Sequence, residues 1–145
     1  DAEGALFGLM DSTTGDPADD EVQVGGLLWF NLFAHNPEGA AEFYGSVGQF
    51  ESAPWRTEGT ILSAGDRGRA GISKLDRNTT ATPTWVPFFK VADIDRKLKV
   101  AKRLGAKVVI EKLTVETGTQ IAVLADTLGA VFALAQVPET AEESP

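Results

Sequence analysis

The same local plan occurs twice in this chain, and that repetition constrains the fold more than any other feature. LLWFNLFA, residues 27–34, is an apolar run of strand length that leads into HNPEG, where Asn36 suits an N-cap and Pro37 a first helical position. Behind the cap, Ala40, Phe43, Tyr44 and Val47 fall at helical spacing, and Gly48 is the expected stop. WVPFFKVA, residues 85–92, repeats the design. Asp93 is its cap, Ile94, Leu98, Ala101 and Leu104 form its apolar stripe, and Gly105 is its stop. Three short strand-like segments broken by Gly follow each helix: QFESAPW, GTILSAG and RAGISKL in the first half, KVVIEKLTVE, TQIAVLAD and AVFALAQ in the second. Each half therefore reads strand, helix, strand, strand, strand.

A second repetition is shorter. DAEGALFGL at the start of the chain and DTLGAVFAL at residues 126–134 share Asp-x-x-Gly-Ala-x-Phe-x-Leu in register. The stretch between the first copy and Leu27 is rich in Gly, Pro and acid, without an apolar period, and residues 138–145, PETAEESP, form an acidic tail. The body between is one ordinary domain in size, since 145 residues bury roughly two thirds of the unfolded surface. With no Cys there is neither a disulfide framework nor a thiolate metal site. A net charge of -8 repels phosphate backbones and anionic lipid, which argues against nucleic acid as a partner. No apolar stretch approaches the length of a bilayer-spanning helix, so no membrane partner is expected. The compartment stays open, with the cytoplasm favoured.

The tandem plan, the AAEFYG helix, the WVPFFKVADID strand and the DTLGAVFALAQ ending together resemble the vicinal oxygen chelate superfamily of glyoxalases, bleomycin-resistance proteins and extradiol dioxygenases. The resemblance covers Leu27 to Gln136. It implies an α+β fold of two tandem βαβββ modules, residues 27–76 and 84–137, whose curled mixed sheet surrounds a shared cavity with the helices outside. It also implies that Asp-x-x-Gly opens the last strand of a module. Residues 1–11 are then expected to be a closing strand left from a preceding module, and residues 12–26 a linker. An orphan strand needs an edge to pair with, so a homodimer through Asp1 to Met10 is a further expectation.

Members of that superfamily which use a metal carry His or Glu near the start of each module's first strand and near the end of its last. Carried over through the capping residues, those positions are Trp29, Val86 and Ala133, with the fourth among Ile72, Ser73 and Lys74. None of the first three side chains ligates a metal, and zinc, iron or manganese needs several N or O donors converging. No metal and no cofactor is therefore expected. The sole histidine, His35, lies in a strand-to-helix turn and reads as a loop residue.

Strand alternation puts Asn31 and Phe33 on the face of Trp29, and Phe88 and Lys90 on the face of Val86, with Phe30, Leu32, Phe89 and Val91 behind. Trp29, Asn31, Phe33, Trp55, Phe88, Lys90 and Gln120 are the candidate ligand-binding residues: aromatic walls, with Asn31, Lys90 and Gln120 as polar groups. These aromatics serve equally as core filler, and Lys90 as a strand-end cation reaching water. The expected partner is a small apolar or aromatic molecule, held without a metal. A metal-dependent lyase or dioxygenase, or a non-catalytic half of a longer tandem-domain protein, are the alternatives.

Overall fold

Both helices start where their caps place them. The Asn36 side chain accepts from Gly39 N–H ahead of α1 (Pro37–Gly48), and Asp93 accepts from Arg96 N–H ahead of α2 (Ile94–Arg103). The computed structural model describes residues 1–10, 13–15, 20–55, 59–76 and 81–138. Its elements run β1 (Leu27–Ala34), α1, β2 (Glu51–Trp55), β3 (Gly59–Ala64), β4 (Arg67–Lys74), β5 (Thr84–Lys90), α2, β6 (Lys107–Thr114), β7 (Gln120–Ala125) and β8 (Val131–Gln136), an α+β chain.

Contacts divide the chain into two units, one of residues 1–21 and 29–86, the other of residues 22–28 and 87 onward. In the first, β2, β3 and β4 pair antiparallel in sequence, and β1 joins β4 in parallel. In the second, β6, β7 and β8 pair antiparallel in sequence, and β5 joins β8 in parallel.

The first core gathers Leu32, Ala34, Ala41, Tyr44, Leu62, Ala70 and Ile72, flanked by Ala40, Phe43, Phe50 and Trp85. Two details of the expected helix face change. Ala41 is buried while Val47 is left 39% exposed, because Phe50 folds back and its ring occupies the space beside Gly48. The left-handed cap is accordingly Gln49, at φ 55°, and not Gly48. Phe30 also departs from expectation: α1 lies over β2, β3 and β4, and Phe30, early in β1, stays exposed. The second core holds Val91, Ile94, Leu98, Ala122, Leu124 and Leu134 beneath α2. Leu104, expected on that stripe, is the C-cap and is exposed, with Gly105 following at φ 93°.

The Asp-x-x-Gly-Ala repeat folds into one turn, twice. At the second copy the Asp126 carboxylate accepts from Leu128 and Ala130 N–H, its carbonyl accepts from Gly129 N–H, and its own N–H donates to the Ala130 carbonyl. At the first copy Asp1 repeats all four bonds with Glu3, Ala5, Gly4 and the Ala5 carbonyl. The glycines take φ 95° and 90°, a left-handed conformation that a Cβ would strain. Beyond the turns the copies part. Val131 continues into β8, whereas residues 6–10 form no strand, which corrects the expectation of an ordered strand there. The missing cause is a ladder partner: residues 6–10 make no backbone hydrogen bond among the described residues.

The expected linker is tethered at its far end. Gly25 N–H donates to the Lys90 carbonyl, Lys90 N–H to the Gly26 carbonyl, and the Lys90 ammonium to the Val22 carbonyl at 2.8 Å. Residues 12 and 16–19 of that linker, and the acidic tail from residue 139, lie outside the described residues.

Candidate functional site

The face of the first unit's sheet opposite α1 carries four of the candidate residues. Leu32 and Ala34 point toward α1, so Trp29, Asn31 and Phe33 point away from it. Register places Asn31 opposite Gly71, and Phe33 opposite Ser73. Trp55, at the end of β2, meets Trp29 with ring centroids 5.8 Å apart and planes inclined by 51°.

Two glycines make room for these rings. A register shift at Leu62/Ser63 marks a bulge in the β3–β4 ladder. Gly68 and Gly71, three positions apart, can thereby face the same way, which regular alternation forbids. A Cβ on Gly68 would lie 3.4 Å from the Trp29 ring. One on Gly71 would lie 2.5 Å from Asn31 Oδ1, 3.2 Å from Trp29 Nε1 and 3.2 Å from Trp55 Cζ3. Both indoles and the Asn31 amide therefore converge above Gly71.

Asn31 is 5% exposed, the one buried polar residue among those described. Its Nδ2 donates to the Leu32 carbonyl at 3.1 Å, and its Oδ1 accepts from Ser73 Oγ at 3.3 Å. It positions its surroundings instead of reaching outward. The Trp29 Nε1–H is different: it is shielded from solvent and has no hydrogen-bond partner among the described residues. A buried donor left unmade costs about 1–3 kcal/mol.

Phe88, Lys90 and Gln120 belong to the second unit. Phe88 pairs with Ala133 and Ala133 with Val123, all on the face opposite α2, and Phe88 is buried there. Lys90 shares that face, and its ammonium donates to the Val22 carbonyl at 2.8 Å. Gln120 is corrected. It shares parity with Ala122 and Leu124 beneath α2, and its partner Gln136 accepts from Ile94 N–H at 2.9 Å, so Gln120 lies on the helix side.

The donor set does not fit a resident metal. Trp29 offers an indole, Val86 and Ala133 offer only carbon and are buried, and at the fourth position Ser73 is bonded to Asn31. Among the described residues no three His, Asp or Glu side chains come together. His35 stays structural: its N–H donates to Glu3 Oε2 at 2.8 Å, and its Nδ1 lies 3.4 Å from the Leu75 carbonyl.

A polar relay on the other side of the first unit escaped the sequence reading. Trp85 Nε1 donates to Tyr44 Oη at 2.9 Å, and Tyr44 donates to Asp1 Oδ2 at 2.9 Å. Burial pushes the Tyr44 phenol above its ordinary pKa, with the Trp85 hydrogen bond opposing. Phe7 packs edge-on against Phe43 and Tyr44, and Trp85 against Tyr44.

No protein-family model matches the chain. It is 29% identical over 139 residues to the protein named "Putative glyoxylase CFP32" of Mycobacterium bovis, and equally to its Mycobacterium tuberculosis counterpart. In both cases the alignment covers 92% of this chain and 52% of the relative. Among solved structures, Streptomyces coelicolor methylmalonyl-CoA epimerase in complex with 2-nitronate-propionyl-CoA superimposes with a TM-score of 0.56 at 17% identity, over 85% of this chain and all of that one. Mycobacterium tuberculosis methylmalonyl-CoA epimerase gives 0.57 at 16% identity, over 82% and 92%. These likenesses agree with the resemblance to the vicinal oxygen chelate superfamily carried by the sequence. At these identities the epimerases show its fold alone. The chain spans about half the length of the curated relatives it matches. Among the described residues no helix is long and apolar enough to cross a membrane.

Proposed function

We propose that this chain is a glyoxalase/bleomycin-resistance-like domain that binds a small aromatic molecule without a metal, on the face lined by Trp29, Trp55 and Phe33 around Asn31. The observation that carries the reading is the unpartnered Trp29 Nε1–H, held in an apolar setting between Gly71 and Trp55. Binding turns the Trp55 ring aside, lets a flat ligand stack on Trp29, and satisfies the indole N–H with a ligand oxygen. The unsuitable donor set at Trp29, Val86 and Ala133 supports a site without a metal.

Acetophenone and ethylbenzene, nearly equal in shape, differ by one acceptor oxygen and serve as probes in NMR titrations. Acetophenone should bind more tightly by about 0.5–1.5 kcal/mol, the net worth of a hydrogen bond. Trp29→Phe, which keeps a ring but loses the N–H, should erase that preference, and Trp29→Ala should weaken both probes. Equal binding of the two probes to the parent, or a preference that survives Trp29→Phe, overturns the reading.

A further inference from the structure

Charge is unevenly placed along this acidic chain. Its net charge is -8, yet residues 96–112 hold seven Lys and Arg against one acid, Glu111. Arg96, Lys99 and Arg103 fall at i, i+3 and i+7 of α2, on the side turned away from buried Ile94 and Leu98. Val100 and Leu104 run beside them at i+4 and i+8, and Leu104 is 74% exposed. Arg96, Lys99, Val100, Lys102 and Arg103 line an open groove of about 560 Å³. Among the described residues the Arg96, Lys99 and Arg103 side chains make no hydrogen bond or ion pair. The nearby acids are engaged elsewhere: Asp93 caps α2 through Arg96 N–H, Asp95 holds the Lys112 ammonium at 2.7 Å, and Glu111 lies 4.0 Å from Lys102.

This arrangement works against the helix that carries it. Arg96 is the third residue of α2, where the positive end of the helix dipole repels a cation. Arg96 with Lys99, and Lys99 with Arg103, are like-charge neighbours, a pairing that destabilises a helix. Local conflicts of this kind concentrate where a surface serves binding, and a docked acidic group supplies the missing compensation. We propose that the outer face of α2 docks an acidic amphipathic helix of another protein, with its carboxylates on Arg96, Lys99 and Arg103 and an apolar side chain on Val100 and Leu104. The match is one of charge and of length. From Arg96 to Leu104 the stripe runs about 12 Å at 1.5 Å per residue, so Glu side chains one turn apart on the partner meet successive cations. A short acidic segment meets only this patch, whereas an extended polyanion also meets the rest of a surface whose net charge is negative.

The test titrates the full chain, followed by NMR, with a helical peptide of about 20 residues that carries Glu on one flank and Leu on the other. Amide shifts should concentrate in α2, and affinity should fall as salt rises. Arg96→Glu puts an acid at the helix start, so it should raise the thermal midpoint of the chain while weakening the peptide by about tenfold or more. Opposite signs in one variant separate a binding role from a structural one. Lys74→Glu, the same charge change on β4, should leave binding within about twofold of the parent. A peptide that leaves α2 unshifted overturns the proposal, as does Arg96→Glu with unchanged binding or a lowered midpoint. So does a short DNA duplex that shifts α2 at lower concentration than the peptide, since nucleic acid would then be the occupant. Shifts in α2 that grow with protein concentration alone, alongside a dimer in sedimentation, overturn it in favour of a second copy.

Discussion

Gly71→Ala is the sharpest test of the geometry around Asn31. Gly71 has an ordinary backbone conformation, so alanine costs nothing through φ and should gain about 0.5–1 kcal/mol over glycine inside a strand. Against that gain stands its Cβ, 2.5 Å from Asn31 Oδ1 and 3.2 Å from both Trp29 Nε1 and Trp55 Cζ3. Asn31 is buried and tied at both ends, to Leu32 and Ser73, so retreat breaks bonds worth about 0.5–1.5 kcal/mol each. Crowding of a packed site adds typically 1–3 kcal/mol. The net expectation is a loss of about 1–3 kcal/mol. Urea unfolding followed by tryptophan fluorescence reads it well, because Trp29, Trp55 and Trp85 all belong to the first unit. In an Asn31→Ala background the shortest obstruction is gone and only the 3.2 Å approaches to Trp29 and Trp55 remain, so the cost of Gly71→Ala should fall clearly below that in the parent, a coupling that a double-mutant cycle isolates. A neutral or stabilising Gly71→Ala in the parent background would refute the convergence of Asn31, Trp29 and Trp55 above this glycine.

Two further expectations rest on separate parts of the molecule. Tyr44 is the only tyrosine, so an ultraviolet titration of the native protein reads it alone, and its midpoint should lie above the ordinary value of about 10. A folded pKa raised above the unfolded one means that the stabilisation is complete below about pH 10 and is lost as pH rises through the folded value; Tyr44→Phe should remove that alkaline loss, and a midpoint at or below the unfolded value would contradict the burial. Elemental analysis of protein purified without chelator should find no stoichiometric zinc, iron or manganese, and close to one equivalent of any of them would show that the donor set has been misjudged.

What the sequence determined by itself is what depends on neighbours along the chain. Asn36 and Asp93 cap their helices because an N-cap needs only its own side chain and the N–H groups of the next turn. The two Asp-x-x-Gly-Ala turns close alike because all four hydrogen bonds fall within five residues. Leu27–Ala34 formed a strand as its apolar run foretold, and alternation alone put Trp29, Asn31 and Phe33 on one face.

What the tertiary structure decided concerns partners distant in sequence. Leu6 to Met10 share the pattern of β8 but form no strand, because a strand is completed by a ladder that its own residues cannot supply. Lys90 was legible as a cation, but not as one bound to Val22, 68 residues earlier. Gln120 could not be assigned a face until Gln136 was seen to cap Ile94, which fixed the pleat of β7 and β8 together. Gly68 and Gly71 stand in RGRAGIS, and strand glycines do hint at a close approach. Only the bulge and the register with β1 show that the approaching groups are Trp29, Asn31 and Trp55, because side chains from three strands meet at a point that no local pattern encodes.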